Sequence, residues 1–356
     1  MSQGGRGDSA SPWRAGPAKP RVALVRLSSL GDVVHALPFA HALRRAWLGC
    51  RLTWIVERRE EAILTGNPDL DDVVPVDTRL WRREFRHPAG AHSVYVKVRG
   101  LVRRLRAGRF DVAVDLQGLW KSGLITWLSG APVRVGFALS QCRERANACF
   151  TNRRVAAPVD AVHVVELNLA LLAGLGLDPA LATPPVFPIP RDPTAEETVG
   201  RCLDGEGVKP ETPLVVLNPG SGRDGKRWGV DAFRRLGDEL AVRLGARVVL
   251  AWGPGEEPLA RAIAHGMRTT PLVPPPTSIP EMVGFLRRAS LVVGGDTGPI
   301  HIAAALGVPT VGLYGPTSAR RNGPYGPRTA AFQSPSGRMD DIGVESVLGA
   351  AESLVR

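Results

Sequence analysis

Cysteine is scarce in this chain: among 356 residues there are four, Cys50, Cys142, Cys149 and Cys202. They form no CxxC pair and no His/Cys ligand set, which argues against a structural zinc site and for a reducing compartment. Long apolar runs are missing too, and no stretch approaches the length of a membrane-spanning helix. The first twenty residues, MSQGGRGDSASPWRAGPAKP, lack the apolar core of a secretory signal and read as a flexible Gly/Ser/Pro-rich tail. The RGD triplet within that tail is too short to argue for adhesion. Nucleotide fingerprints are absent as well. The first glycine region supplies no GxGxxG, and the GxxxxGK[ST] phosphate loop fails because Arg227 follows Lys226. Binding of NAD or ATP in the standard ways is therefore disfavoured. With no zinc finger and no aromatic-rich strand signature, nucleic acid is disfavoured as a partner.

What is present is an ordinary globular composition, 44% apolar, in a chain long enough for two cores. The net charge is +11, which favours anionic partners. Its distribution says more than its total. Between Arg79 and Arg109 there are ten basic residues (Arg79, Arg82, Arg83, Arg86, Lys97, Arg99, Arg103, Arg104, Arg106, Arg109) against one acid, Glu84. A solvated helix face would explain part of this; a surface receiving an anionic substrate explains it better.

Apolar strand-like runs alternate with helical patterns. VALVRL from Val22 is a short apolar run with one basic interruption. LTWIV (52–56), VVPV (73–76) and VAVDL (112–116) follow as strand candidates. Between the first two, Val33, Leu37, Ala40, Leu43 and Trp47 recur at helical spacing, with Pro38 fitting only a first turn or a kink. Such alternation implies parallel strands with crossover helices. The proline-rich stretch 174–190 interrupts it. The expected division is an N-terminal domain over 21–180, a linker over 181–190 and a second domain over 191–340. A helix over 341–356 can pack back across the first domain. In the second half, LVVLNPG (214–220), RVVLAW (247–252), LVVGG (291–295) and PTVGLYG (309–315) read as strands. The fold class is α/β, and the distinctive polar residues fall where ligands bind such sheets, outside the carboxyl ends of the strands.

Four loops carry chemistry. GGDTGPIHIAAALG leaves a strand through two glycines; Thr297 can cap the next helix, Pro299 fits its first turn, and His301 lies one turn on. Asp296, Thr297, Gly298 and His301 thus suit a diphosphate at a helix N-terminus. NPGSGRDGKRW offers close backbone approach at Ser221 and Gly222, and a mobile cation, Lys226. Glu256 and Glu257 follow a strand and can accept from sugar hydroxyls, although a carboxylate there also suits a helix start. In SSLGDVVHALP, Asp32 follows a strand at a helix start and is a candidate base. Lys121 begins a helix, where a cation is unfavourable, and so suggests a nearby anion.

Taken together, VRLSSLGDVVHALP, TRLWRREF, FDVAVDLQGLWKSG, NPGSGRDGKRW, LAWGPGEE and VVGGDTGPIHIAAALGVPTVGLYGPT, in this order over residues 21–330, resemble glycosyltransferase family 9. These are the ADP-heptose:lipopolysaccharide heptosyltransferases, and the resemblance is strongest to the heptosyltransferase I branch. It implies a GT-B fold whose first domain receives the acceptor and whose second binds ADP-heptose. It implies inverting transfer onto the Kdo-lipid A inner core, with ADP as product and with no metal or cofactor. On this resemblance Asp32 is the general base. Ser221, Gly222, Lys226, either Glu256 or Glu257 (as the ribose carboxylate), Asp296, Thr297, Gly298 and His301 serve the donor. Ser29, Gly31, Arg82, Arg83, Lys121 and Arg143 serve the acceptor. A cytoplasmic enzyme held at the inner leaflet of the cytoplasmic membrane through its basic surface is expected. The chain departs from that branch in having one hydroxyl, Ser221, before Gly222 rather than two adjacent hydroxyls, and in the loop RRNGPYG (320–326). A related family member with another core acceptor or nucleotide-sugar is the alternative reading.

Overall fold

The computed structural model describes residues 19–86, 90–221 and 224–356. Two parallel sheets organise them. The first has the order β3-β2-β1-β4-β5-β6. Its strands are β1 (Arg21–Val25), β2 (Arg51–Glu57), β3 (Asp72–Val76), β4 (Val112–Asp115), β5 (Val133–Phe137) and β6 (Arg153–Val155). The helices of this half are α1 (Leu30–Val34), α2 (Leu37–Ala46), α3 (Thr78–Glu84), α4 (Gly90–Ala107), α5 (Trp120–Leu128) and α6 (Val164–Ala170). Next comes α7 (Pro193–Gly205). The second sheet, in the order β11-β10-β9-β7-β8, has strands β7 (Leu214–Asn218), β8 (Arg247–Leu250), β9 (Leu291–Gly295), β10 (Thr310–Tyr314) and β11 (Thr329–Gln333). Around it pack α8 (Val230–Leu244), α9 (Glu257–His265), α10 (Ile279–Arg288), α11 (Gly298–Ala305), α12 (Ala319–Asn322) and α13 (Val344–Val355).

The central strands are covered on both faces, which explains their unbroken apolar runs. Val22 to Val25, Leu214 to Leu217 and Leu291 to Val293 are all inaccessible to solvent. Each such valine or leucine stabilises the fold by roughly 1.5–3 kcal/mol on burial. Pro75 lies in β3, an edge strand, where a missing donor is tolerated.

The helical pattern around Pro38 resolves into two helices. α1 ends at Val34, and α2 starts at Leu37 with Pro38 in its first turn, where no N–H is needed. The basic tract divides between α3 and α4, and most of its arginines face solvent. The C-terminal helix departs from expectation. α13 does not pack back across the first domain; it packs on α8 and on β9, β10 and β11. Its buried face, Val347, Leu348 and Ala351, closes the second core against Leu240, Val311 and Leu313. The physical reason is local: β11 leaves one face of the second sheet uncovered, and the next amphipathic helix covers it.

The carboxyl ends of β1 and β4 in one sheet, and of β7 and β9 in the other, open on one cleft. At its floor the halves touch through α1 and α11. A Cβ on Gly31 would overlap the His301 ring, and a Cβ on Gly298 would come within 2.7 Å of Leu30. Glycine at both positions lets these helix starts meet.

Candidate active site

A cavity of about 630 Å³ fills the cleft, with walls from both halves. On the first wall, β1 continues into Arg26, which is 2% exposed. Its guanidinium donates to the Leu116 carbonyl and, at 2.6 Å, to Oδ1 of Asp32. The other oxygen, Oδ2, accepts from the Ser29 amide at 3.1 Å and from the Ser29 hydroxyl at 3.2 Å. Arg143 approaches Oδ2 at 3.7 Å. Burial pushes the Asp32 carboxyl up, but Arg26, Arg143 and the Ser29 hydrogen bonds outweigh it and hold the group below the ordinary aspartate range. Asp32 is therefore ionised at neutral pH. Gln117 fixes the loop that presents it, accepting from the Leu27 amide at 2.9 Å and donating to the Ser28 carbonyl at 3.2 Å.

The second wall is built around Asp296, at the end of β9. Its Oδ2 receives Lys226 Nζ at 2.8 Å and its Oδ1 meets His301 Nε2 at 3.1 Å. Burial raises this carboxyl, but the His301 and Lys226 contacts prevail and bring it well below its usual value. Thr297 takes the N-cap position of α11, yet its hydroxyl does not cap the helix. It accepts from Asn218 Nδ2 at 3.0 Å and donates to the Gly295 carbonyl at 3.1 Å. The expected capping role is thus replaced by a clamp between the ends of β7 and β9. The first turn of α11 is left without a side-chain cap, which suits an anion.

Ser221, Lys226, Asp296, Thr297, Gly298 and His301 all line the cavity, opposite Ser29, Gly31, Asp32 and Arg143. Gly222 lies outside the described residues. Two glutamates that the sequence left equivalent are separated by the structure. Glu256 turns inward: its Oε2 accepts from the Gly253 amide at 2.9 Å, and the carboxylate packs so tightly on Gly220 that no Cβ would fit there. Glu257 turns outward, to Arg261 at 2.7 Å. Neither lines the cavity, and Glu256 is the one against the Asn218–Ser221 loop.

Arg82 and Arg83 project from α3 toward solvent. The arginines that line the cavity from this side are Arg59 and Arg79. Lys121 lies 3.9 Å from the buried Glu57, so the anion that its helix-start position suggested is in part the protein's own carboxylate. Burial lowers the Lys121 pKa, with Glu57 opposing, and Arg79 and Arg82 add to the lowering.

Several cleft residues were not singled out from the sequence. Arg26 was visible as the basic interruption of VALVRL. His35 and His163 join His301 in an edge-to-face cluster, with the His163 and His301 ring centroids 5.3 Å and 4.4 Å from that of His35. His163 Nδ1 accepts from the Val165 amide at 3.2 Å, and Nε2 donates to the Gly323 carbonyl at 3.0 Å, which defines a neutral ring bridging the two halves. Arg321, in the 320–326 segment and within α12, reaches the cavity from the second half. Among the described residues no group of three or more His, Cys, Asp or Glu side chains is arranged to hold a metal ion.

Two parallel-sheet halves facing one polar cleft, with an ionised carboxylate on one wall and a lysine and helix start on the other, define a glycosyltransferase of the GT-B fold. The chain superimposes on E. coli heptosyltransferase WaaC with ADP at a TM-score of 0.75 and 27% identity, over 94% of this chain and 99% of that one. It is 31% identical over 332 residues to lipopolysaccharide heptosyltransferase 1 of Salmonella typhimurium, covering 92% of this chain and 99% of the relative. It is 33% identical over 312 residues to the protein of the same name from Pseudomonas aeruginosa, covering 86% and 81%. The model of glycosyltransferase family 9 (heptosyltransferase) matches residues 98–351, and the chain belongs to that family.

Proposed function

We propose that this enzyme transfers L-glycero-D-manno-heptose from ADP-heptose, with inversion, to the Kdo-lipid A inner core of lipopolysaccharide. The observation that carries this reading is the opposition of Asp32 to the Lys226, Asp296 and Thr297 cradle across one cavity. The diphosphate lies against Lys226 and the start of α11, with Ser221 at its edge; Glu256 supports the loop that approaches the nucleotide. The acceptor enters beside Arg143, Arg59 and Arg79.

Asp32 accepts the proton of the acceptor hydroxyl as that oxygen attacks the anomeric carbon from the face opposite the diphosphate. A carboxylate held below its ordinary pKa is a weak base, so its transfer accompanies bond formation rather than preceding it. The bond from the anomeric carbon to the diphosphate oxygen breaks, and ADP leaves with the electron pair. Lys226 and the N–H groups of α11 receive the charge that develops on the leaving oxygen. Asp296 orients that lysine and His301 without occupying the leaving-group position. Contact between the halves at Gly31 and Gly298 narrows the floor of the cleft, which limits hydrolysis by water.

The test is incubation of the purified protein with ADP-heptose and Kdo-lipid A in EDTA, reading acceptor mass and released ADP. A gain of one heptose with matching ADP is expected. Release of ADP without a heptosylated product would contradict the acceptor assignment. ADP binding with no reaction would favour another core acceptor or donor sugar.

The same reading extends to the membrane that presents the acceptor. No helix of the described residues is long and apolar enough to cross a bilayer. The finer proposal is peripheral attachment at the cytoplasmic leaflet through α3 and α4, where Phe85 and Tyr95 are exposed beside Arg82, Arg83, Arg86 and Arg99. Binding to anionic vesicles should fall steeply with salt; salt-independent binding would contradict attachment by charge.

A further inference from the structure

We propose that Arg321, from the donor-side half, forms with Arg143 a subsite for the carboxylate of the accepting sugar. The inference rests on the acceptor-transfer reading and adds to it a residue from the opposite wall.

Arg321 belongs to α12, whose start is capped by Ser318: the Ser318 hydroxyl accepts from the Arg321 amide at 3.3 Å. Its side chain is half-buried and lines the main cavity. It also lines a second cavity of about 590 Å³. The two share Gln141, Arg143, Leu167 and Arg321, so the second is a side branch of the first. The rest of the branch wall comes from Ser140, Cys142, Ala161 and Val162 and contains no acid. Among the described residues, no hydrogen-bond or ion-pair partner meets the Arg321 guanidinium.

Charge is unbalanced here. Arg26, Arg143 and Arg321 surround a single carboxylate, Asp32. Burial works against the charge of Arg321, Arg143 and Arg26 add to that, and Asp32 offsets it in part. A partly desolvated guanidinium beside two others calls for a further anion. One carboxylate between Arg321 and Arg143 supplies it, and the planar fork of Arg321 suits two parallel hydrogen bonds.

The branch points to the acceptor rather than the donor. Apart from Arg321, its lining residues are all from the first half, whereas Lys226, Ser221 and Thr297 line the main cavity alone. The anion is also close to the reacting oxygen, because Arg143 is 3.7 Å from Asp32 Oδ2. Kdo is a sugar acid, and its own carboxylate lies within a few bonds of its hydroxyls. The lipid phosphates are at least one sugar further away.

The test compares wild type, Arg321→Gln and Arg321→Lys on three acceptors: Kdo-lipid A, its carboxyl methyl ester, and its dephosphorylated form. Arg321→Gln should raise the acceptor KM about 10-fold or more, the range of a lost charge-assisted hydrogen bond, with ADP affinity within about 2-fold of wild type. Arg321→Lys should recover part of the loss. Methyl esterification should weaken the wild type by a similar factor and Arg321→Gln little further. Equal losses in both proteins on esterification, an unchanged KM, or an effect that follows the phosphates would overturn the proposal. Direct binding of free Kdo and its methyl ester, read by saturation-transfer NMR, needs no turnover. Wild type that binds Kdo but forms no product would count against the heptosyl-transfer reading alone. Equal binding of Kdo by wild type and Arg321→Gln would count against the subsite alone.

Discussion

Each wall of the cleft carries an aspartate just beyond a parallel strand and beside a helix start, yet the two side chains are used differently. Asp296 commits both oxygens at close range, one to Lys226 at 2.8 Å and one to His301 at 3.1 Å. It is a scaffold that holds a cation and an imidazole in place. Asp32 is anchored tightly through one oxygen only, at 2.6 Å to Arg26. Its other oxygen has longer contacts, 3.1 and 3.2 Å to Ser29 and 3.7 Å to Arg143, on the cavity side. That oxygen can exchange a contact for an acceptor hydroxyl. The same strand–aspartate–helix pattern therefore leaves one oxygen available on one wall, as the proposed base requires, and none on the other, according to how many protein partners each oxygen has.

The largest effect that would test this division is on turnover. Asp32→Ala should reduce kcat by about 10²–10⁴-fold, the usual contribution of a positioned base, measured by steady-state ADP release; a loss under about 3-fold would remove Asp32 from the chemistry. Next is Lys226→Ala, which should weaken ADP binding by about 10-fold or more through loss of a charged contact, read by calorimetry. Unchanged affinity would mean that the diphosphate is held elsewhere.

A smaller effect is expected between the walls. Gly31→Ala puts a methyl group into the His301 ring and must push α1 from α11. Overpacking of this kind costs about 1–3 kcal/mol, visible as a lower melting temperature together with a higher rate of donor hydrolysis. Unaltered stability and hydrolysis would show that this contact is not formed in solution.

The smallest effect concerns pH. Burial, with His301 and His163 adding to it, holds the His35 pKa well below its usual value. Burial likewise lowers His163, with the Gly323 hydrogen bond opposing, His301 and Arg321 lowering further, and Glu166 raising. The unfolded chain then binds more protons than the folded one as pH falls below about 6.5. Stability contributed by these neutral rings is complete above that pH and is progressively lost below it. The melting temperature should drop between pH 7 and 5.5, less steeply in His35→Leu. Equal slopes would exclude the histidine cluster as the source.

Much of the fold was legible because local signals agreed. The strand over 291–295 matches β9 end to end, an unbroken apolar run that ends in two glycines. The packing of α13 was not legible, since an amphipathic helix announces its apolar face and not the surface that receives it. The loops proposed to serve the donor stood out because they join glycine, a hydroxyl and lysine in strand-to-helix turns, and the structure brings Ser221, Lys226 and Thr297 to one cavity. Arg26, His163 and Arg321 were not, because the residues that define their roles lie far along the chain: Leu116 for Arg26, Gly323 for His163 and Arg143 for Arg321. Thr297 shows the opposite failure: its local position predicted a cap, and the partner that its hydroxyl chose, Asn218, came from another strand.

The most direct test of the two-aspartate account is a paired measurement on Asp32→Asn and Asp296→Asn, namely ADP affinity by calorimetry and single-turnover heptosyl transfer. The account predicts that Asp32→Asn binds ADP within about 2-fold of wild type and transfers at least about 100-fold more slowly. Asp296→Asn should lose ADP affinity, because Lys226 and His301 lose their common anchor. Loss of ADP affinity in Asp32→Asn with transfer preserved, or wild-type ADP binding in Asp296→Asn, would contradict it.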